Sequence, residues 1–347
     1  MNNRNTLFSM DSDNHLAHLM LSTSLTARDG SANTRWLTGD YDRLIEPLLL
    51  LEILERNLTI QNVNAEALLE IYRRLLSSMD AWKGLRTFHP TLSRFAELVM
   101  QAEQSIPSAG DVDLELRQSV ATISQHLQSD EHKRLVAEWL WAGDRNLRIG
   151  LRALVAITLN YPSFVAVGVE LAYEHANTPL EQMVQDRQQL FSEISNIPEL
   201  EHCIGAYWHL EYGLQKGYYL QCVFFFSTKE PGVGPVLAQR LGEHWQDTVT
   251  KGDGRYYANT REQTEYQYPG CIYVQESNHD ILEQVDWWLK CMTNLDVYFP
   301  LVLPAGESTF DTQTFKYYLR SQDDWTDVSL FEAEVMSEWY EGMCNKA

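Results

Sequence analysis

The sequence is short of positive charge. Its 347 residues hold 27 Lys and Arg against 48 Asp and Glu, a formal net charge of −21. Lys and Arg drive binding to a phosphate backbone by releasing counterions, so a chain with few of them is a poor nucleic-acid binder unless they cluster. Cysteine is also scarce. Cys203, Cys222, Cys271, Cys291 and Cys344 are an odd number with no Cys-x-x-Cys pair, which suits reduced thiols better than a zinc or disulfide framework. Long apolar runs are missing. The richest early one, Leu44 to Leu54, is interrupted by Glu46, Pro47 and Glu52 and falls short of the roughly 18 apolar residues of a membrane span. The opening stretch, MNNRNTLFSMDSDNHL, lacks the basic-then-apolar pattern of a signal peptide. Together these point to a cytoplasmic protein. No internal repeat or low-complexity tract is present.

What the chain does have is material for a large core. Hydrophobic residues make up 44%, with 10 Trp, 17 Tyr and 12 Phe, a composition that folds rather than stays disordered. The length suggests two domains. The charge divides unevenly between them. From residue 161 onward there are 28 Asp and Glu against 11 Lys and Arg, a net −17, whereas the first 160 residues carry a net −4. A surface of that kind aids solubility or faces a basic partner.

Residues 1–36 are polar and read as a loose arm. Residues 37–159 read as a helical domain, with apolar stripes at Leu44, Leu48, Leu51 and Leu54, at Leu68 to Leu76, and after the break at Phe88-His89-Pro90. Further helical patterns run over 114–140 and 149–157, separated from the earlier ones by a loop at Ile106 to Asp111. The texture changes at Asn160-Tyr161-Pro162. Phe164 to Val169 is β-branched and apolar, a charged helix follows over 179–195, and two strands, 204–213 and 217–226, are joined by Leu214-Gln215-Lys216 between glycines as a hairpin. A helix over 234–250, a strand over 271–274 and a helix over 279–295 complete the order β-α-β-β-α-β-α. That order suits an α+β fold with an antiparallel sheet covered on one face by helices. The domain built on it is expected over 160–320. The last stretch, 321–347, carries seven acidic residues against one Lys, with Leu330, Val335, Trp339 and Met343 at helical spacing. It reads as an acidic amphipathic helix that docks on its own core or on a basic partner.

Five strings in this half share an order and spacing: Val167-Gly168-Val169-Glu170-Leu171, Trp208-His209-Leu210-Glu211-Tyr212-Gly213 with Lys216-Gly217, Gly242-Glu243-His244-Trp245 through Gly252, Leu295-Asp296-Val297-Tyr298, and Ser308-Thr309-Phe310. In this they resemble the inovirus-type replication initiator family, the YagK/YfjJ C-terminal domain, a relative of the HUH endonucleases. The resemblance covers about half the chain and implies an HUH/RRM-like, ferredoxin-like domain. It also implies metal-assisted DNA strand transfer. In that chemistry a His-x-His pair on one strand face and a carboxylate hold a divalent metal, and a tyrosine on a helix, assisted by a lysine, attacks phosphorus.

The frame is kept and the chemistry is not. The family's His-x-His falls on Tyr219 and Gln221, and its Tyr-x-x-Lys on Cys291 and Asn294; Glu211 stands where the family has its carboxylate. Four of five chemical groups are replaced, so the expectation is an inert relative with no catalytic residue, no metal and no cofactor. Such a relative acts as a regulator or inhibitor on a protein partner with a basic or nucleic-acid-binding surface, for instance by acidic DNA mimicry. The family's frequent home is a mobile genetic element. Direct nucleic-acid binding and membrane contact are not expected.

Two other classes stay open. A divergent nicking enzyme would use Cys291, or Tyr298 about 10 Å further along the helix, with Mg or Mn at a Glu211-centred site. A non-catalytic nucleic-acid-binding module would use the aromatic residues of 207–226 and 256–273 as a stacking platform, although cross-strand packing is the plainer reading. His209 and Glu211 alternate onto one strand face, which Cys203 shares if the strand is regular, and read as a polar pair or a shifted metal site. The turn Lys251 to Arg255 offers two cations to a phosphate or is a plain glycine turn.

Overall fold

The computed structural model describes residues 65–105, 121–258, 270–275 and 279–314, together with the helical positions Leu44, Pro47, Leu50, Leu51 and Leu54. The expected arm over 1–36 and acidic helix over 321–347 lie outside these residues. The chain divides into two compact units, Met1–Asp144 with Asn294–Glu307, and Arg145–Thr293 with Ser308–Ala347.

In the first unit, α1 spans Ala65–Ala81, α2 spans Pro90–Ser105, and α3, Asp130–Asn160, begins. Trp82, Leu92, Phe95 and Phe299 are among its most deeply buried side chains. The stretch after residue 294 is fixed by polar contacts. The Arg86 guanidinium donates to the Phe299 carbonyl at 2.7 Å, and the Trp139 indole N–H donates to the Val297 carbonyl at 2.7 Å. His89 caps α2. Its Nδ1 accepts the Thr91 backbone N–H at 3.3 Å, in the manner of an N-cap side chain.

The second unit holds six strands: β1 Ser163–Tyr173, β2 Cys203–Gly213, β3 Gly217–Ser227, β4 Gly254–Ala258, β5 Cys271–Gln275 and β6 Phe310–Thr314. The helices α4 Leu180–Glu193, α5 Gly234–Glu243 and α6 His279–Tyr298 connect them, and a short π-helical turn, His244–Val249, extends α5. The sheet order is β4-β1-β3-β2-β6, with β5 also paired to β1, and every pairing is antiparallel. The mixed α+β class and the antiparallel sheet agree with the reading of the sequence.

Three details differ. Helices cover both faces of the sheet rather than one. On one face Phe164, Ala166, Tyr207, Val223, Phe225, Ile272 and Val274 form a core with Leu154 and Ile157 of α3 and with Val285, Leu289 and Met292 of α6. On the other, α4 stacks Phe191 on Phe224 at 5.8 Å and lays Arg187 over the Trp208 ring at 3.9 Å. Beside them Trp245 sits 5.6 Å from Tyr173. Both faces of β1 and β3 must therefore be apolar, which is why Phe164 to Val169 and Val223 to Phe226 read as continuous rather than alternating runs.

The second difference is where the helices divide: a break at Gln128-Ser129 interrupts the pattern read over 114–140, and α3 then runs unbroken for 31 residues through the gap expected before 149. Gly143 and Gly150 interrupt its apolar pattern for a packing reason. A Cβ at Gly150 would stand 2.4 Å from Leu289, and one at Gly143 would stand 2.7 Å from Val297. The third is that β4 and β6 are short strands with little apolar alternation, held by pairing along β1 and β2.

Candidate functional site

The alternation of strand side chains sets a polar row into the helix-covered face that also carries Tyr207, Val223 and Phe225. Across three neighbouring strands His209 of β2 stands opposite Gln221 of β3, and Gln221 stands opposite Glu170 of β1. One step along the same face, Glu211 stands opposite Tyr219. The structure thus brings together four sequence-selected positions, His209, Glu211, Tyr219 and Gln221, and adds Glu170 to them.

A sixth residue comes from the hairpin turn. Gly217 has φ 73°, and a Cβ there would meet the Ala176 carbonyl oxygen at 2.2 Å, so only glycine closes this turn. The turn folds Lys216 inward until its side chain is 4% exposed. Its ammonium pairs with the Glu170 carboxylate and lies 3.9 Å from the centroid of the Tyr219 ring. The ammonium is matched by a carboxylate and an aromatic face, which offsets the cost of taking it out of water.

On the β2 side, His209 and Glu211 are 0% and 1% exposed. His209 Nδ1 lies 3.5 Å from Glu211 Oε1, while Glu211 Oε2 accepts the Tyr212 backbone N–H at 3.3 Å. The His209 ring is further placed by Phe310, 6.5 Å away between centroids. An imidazole nitrogen and a carboxylate oxygen therefore face each other in a dry setting, an arrangement suited to sharing a proton or holding a cation.

Other sequence-selected residues are placed differently. Cys291 lies on α6 just before Met292, a residue of the sheet core, and its side chain lies outside the described residues. Asn294 is a half-buried residue of α6 that belongs with the first unit. The helix does continue to Tyr298, which tilts against His89 with ring centroids 6.1 Å apart, within that first unit. Cys203 does not share the face of His209. The register shifts between Cys203 and Gly205 and pairs Cys203 with Phe226, because a β-bulge reverses the alternation behind it. Cys222, opposite Trp208, is buried, and burial pushes that thiol above its ordinary range. Of the turn cations, Arg255 is engaged by both carboxylate oxygens of Glu174. His244 pairs with Glu193 at 3.0 Å, and His202 is exposed beside Glu201 at 3.8 Å.

Neither Glu170 nor Lys216 is picked out as a site residue by the sequence. Glu170 is the one charged side chain in an otherwise apolar strand of 11 residues. Lys216 looked like an ordinary turn lysine, and nothing local to the turn says that it folds inward. No protein-family model, curated protein or solved structure matches the chain.

Proposed function

We propose that this chain is a replication-initiator-like protein without strand-transfer chemistry, acting through protein contacts on a partner with a basic, nucleic-acid-binding face. The first four strands with α4 and α5 run β-α-β-β-α-β in the order β4-β1-β3-β2, which supports a ferredoxin-like frame. Tyr219 and Gln221 take the central strand positions at which the resembling family carries its metal-binding histidines.

One observation carries the reading: the Lys216 ammonium is folded onto Tyr219 and Glu170. Where the family holds a metal and the scissile phosphate, this chain seats its own cation. A second feature agrees with it. Glu211 and His209 are buried, so a phosphodiester has no approach to them. The exposed carboxylates Glu181, Glu199, Glu201, Glu230, Asp247 and Asp253 of the sheet unit give its surface the sign that a DNA-binding face attracts.

Fluorescence anisotropy with labelled single- and double-stranded DNA at low salt tests the reading. The expected result is no binding in the nanomolar range. Nanomolar binding that falls steeply with salt would instead identify a nucleic-acid-binding module.

A further inference from the structure

We propose that the outward face of α3 within the sheet unit is the seat of the chain's own acidic stretch, residues 321–347, held there by Arg145, Arg148 and Arg152. The inference rests on α3 and β6 rather than on the polar row, and it stands whether or not the proposed function holds.

Charge is the first argument. Residues 161 onward carry a net −17, yet from Arg145 to Asn160 the helix has three arginines and no Asp or Glu. Arg145, Arg148, Arg152, Val155 and Leu159 recur at alternating spacings of three and four, which puts them on one stripe. That stripe points away from the core. Leu154 and Ile157 enter the core on the opposite side of the helix, and Gly150 faces Leu289 there. Arg145 and Arg152 are exposed, and Leu159 is 62% exposed. A helix face that is cationic at one end and apolar at the other fits an amphipathic helix with carboxylates beside its apolar residues. Residues 321–347 have that composition, with seven Asp and Glu against one Lys and with Leu330, Val335, Trp339 and Met343 at helical spacing. Guanidinium groups also match carboxylates in two-pronged pairs.

Reach is the second. Strand β6 runs beside α3. At one end the Asn146 amide donates to the Thr309 hydroxyl at 3.0 Å. At the other, a Cβ on Gly205 would meet the Gln313 carbonyl oxygen at 3.1 Å and the Ile157 Cδ1 at 3.5 Å. The chain thus leaves β6 at Thr314 beside the C-terminal turns of α3. Residues 315–320 span up to about 20 Å when extended, enough to round a helix about 10–12 Å across. As helices, residues 145–159 and 330–343 each measure about 20 Å, so one can lie along the whole of the other.

Competition is the third. Tethering gives the stretch an effective concentration in about the millimolar range, which a free ligand must exceed. A phosphate backbone would match the arginines but not Val155 and Leu159, and the acidic remainder of the unit repels it.

Hydrogen–deuterium exchange of the full chain, read by mass spectrometry, tests the proposal. Amides of 321–347 should exchange at least about tenfold more slowly in the wild type than in the double variant Arg145→Glu/Arg152→Glu, while β1 and β3 exchange alike in both. In a second variant, Arg152→Lys keeps the charge and supplies an amine. A carbodiimide should join that amine to a carboxylate between Asp323 and Glu341, in a product of single-chain mass. Fast exchange throughout 321–347 in the wild type overturns the proposal, because the stretch is then not seated. Slow exchange that survives both arginine changes overturns it too, since the stretch then docks elsewhere. Cross-links found only between two chains would assign the face to a second copy, and DNA binding abolished by the arginine changes would assign it to a nucleic acid; either result overturns the proposal. The Arg152→Lys cross-link decides the matter if the double variant fails to fold, and its absence then counts against the seat on α3.

Discussion

Lys216 and Glu170 are joined across the hairpin turn and the central strand β1, with the lysine ammonium capped by the Tyr219 ring at 3.9 Å. Replacing Lys216 by Met keeps the stem's packing and removes the charge. Glu170, whose side chain is only 18% exposed, is then left without its cation. The expected loss of stability is about 2–4 kcal/mol, read from urea unfolding. Combining Lys216→Met with Glu170→Gln should recover part of it. If the single change costs nothing measurable, the pair is not a structural unit.

His89 gives the first unit a dependence on acid. Burial, with a smaller contribution from His132, lowers its pKa to about 4. In an unfolded chain the imidazole titrates near about 6.5. The unfolded state therefore takes up the proton first as pH falls. The stability that neutral His89 contributes is complete above that value and fades between about 6.5 and 4, the loss reaching about 3 kcal/mol by pH 4. His132 is lowered too, by burial and then by Arg94, and adds in the same direction. His89→Asn retains a cap acceptor for the Thr91 N–H and should flatten the pH dependence of urea midpoints. An unchanged slope in that variant would assign the effect to other groups.

Gly168 lies beneath α6. A Cβ there would stand 1.9 Å from the Trp288 ring, so Gly168→Ala has to displace the indole or the helix. A loss of about 1–3 kcal/mol is expected, with a shift in tryptophan emission. Alanine at this position with native stability would mean that the helix sits further from the sheet.

Tyr173 donates its hydroxyl to Asp186 at 2.6 Å, and Gln182 donates to the other oxygen of the same carboxylate at 2.9 Å. Burial and the Asp186 carboxylate push the phenol pKa well above its ordinary value. Tyr173→Phe leaves the buried carboxylate one donor short, at an expected cost of about 1.5–3 kcal/mol. The phenol of the wild-type protein should also stay un-ionised in alkaline spectrophotometric titration until the fold opens.

Much of the sheet unit was legible because its strands and helices carry strong local signals. Phe164 to Val169, the glycine-flanked Leu214 to Lys216 turn and the stripe of Leu237 and Leu241 each announce one element. Long-range packing was not legible. Gly143 and Gly150 look like breaks in a helix until Val297 and Leu289 are seen against them. The bulge that turns Cys203 away from His209 has no mark in its own sequence. In the site, Glu211, Tyr219 and Gln221 were singled out by the family resemblance, and strand alternation explains only why they share a face, whereas the cation above them depended on how one turn folds back.

The most direct test of an inert polar row is incubation of the full chain with supercoiled DNA and Mn²⁺ or Mg²⁺, followed by a denaturing gel. The expected result is DNA that remains supercoiled and no protein–DNA adduct. A covalent 5′-linked adduct that disappears in Tyr298→Phe or Cys291→Ser would contradict it and establish a working nicking enzyme.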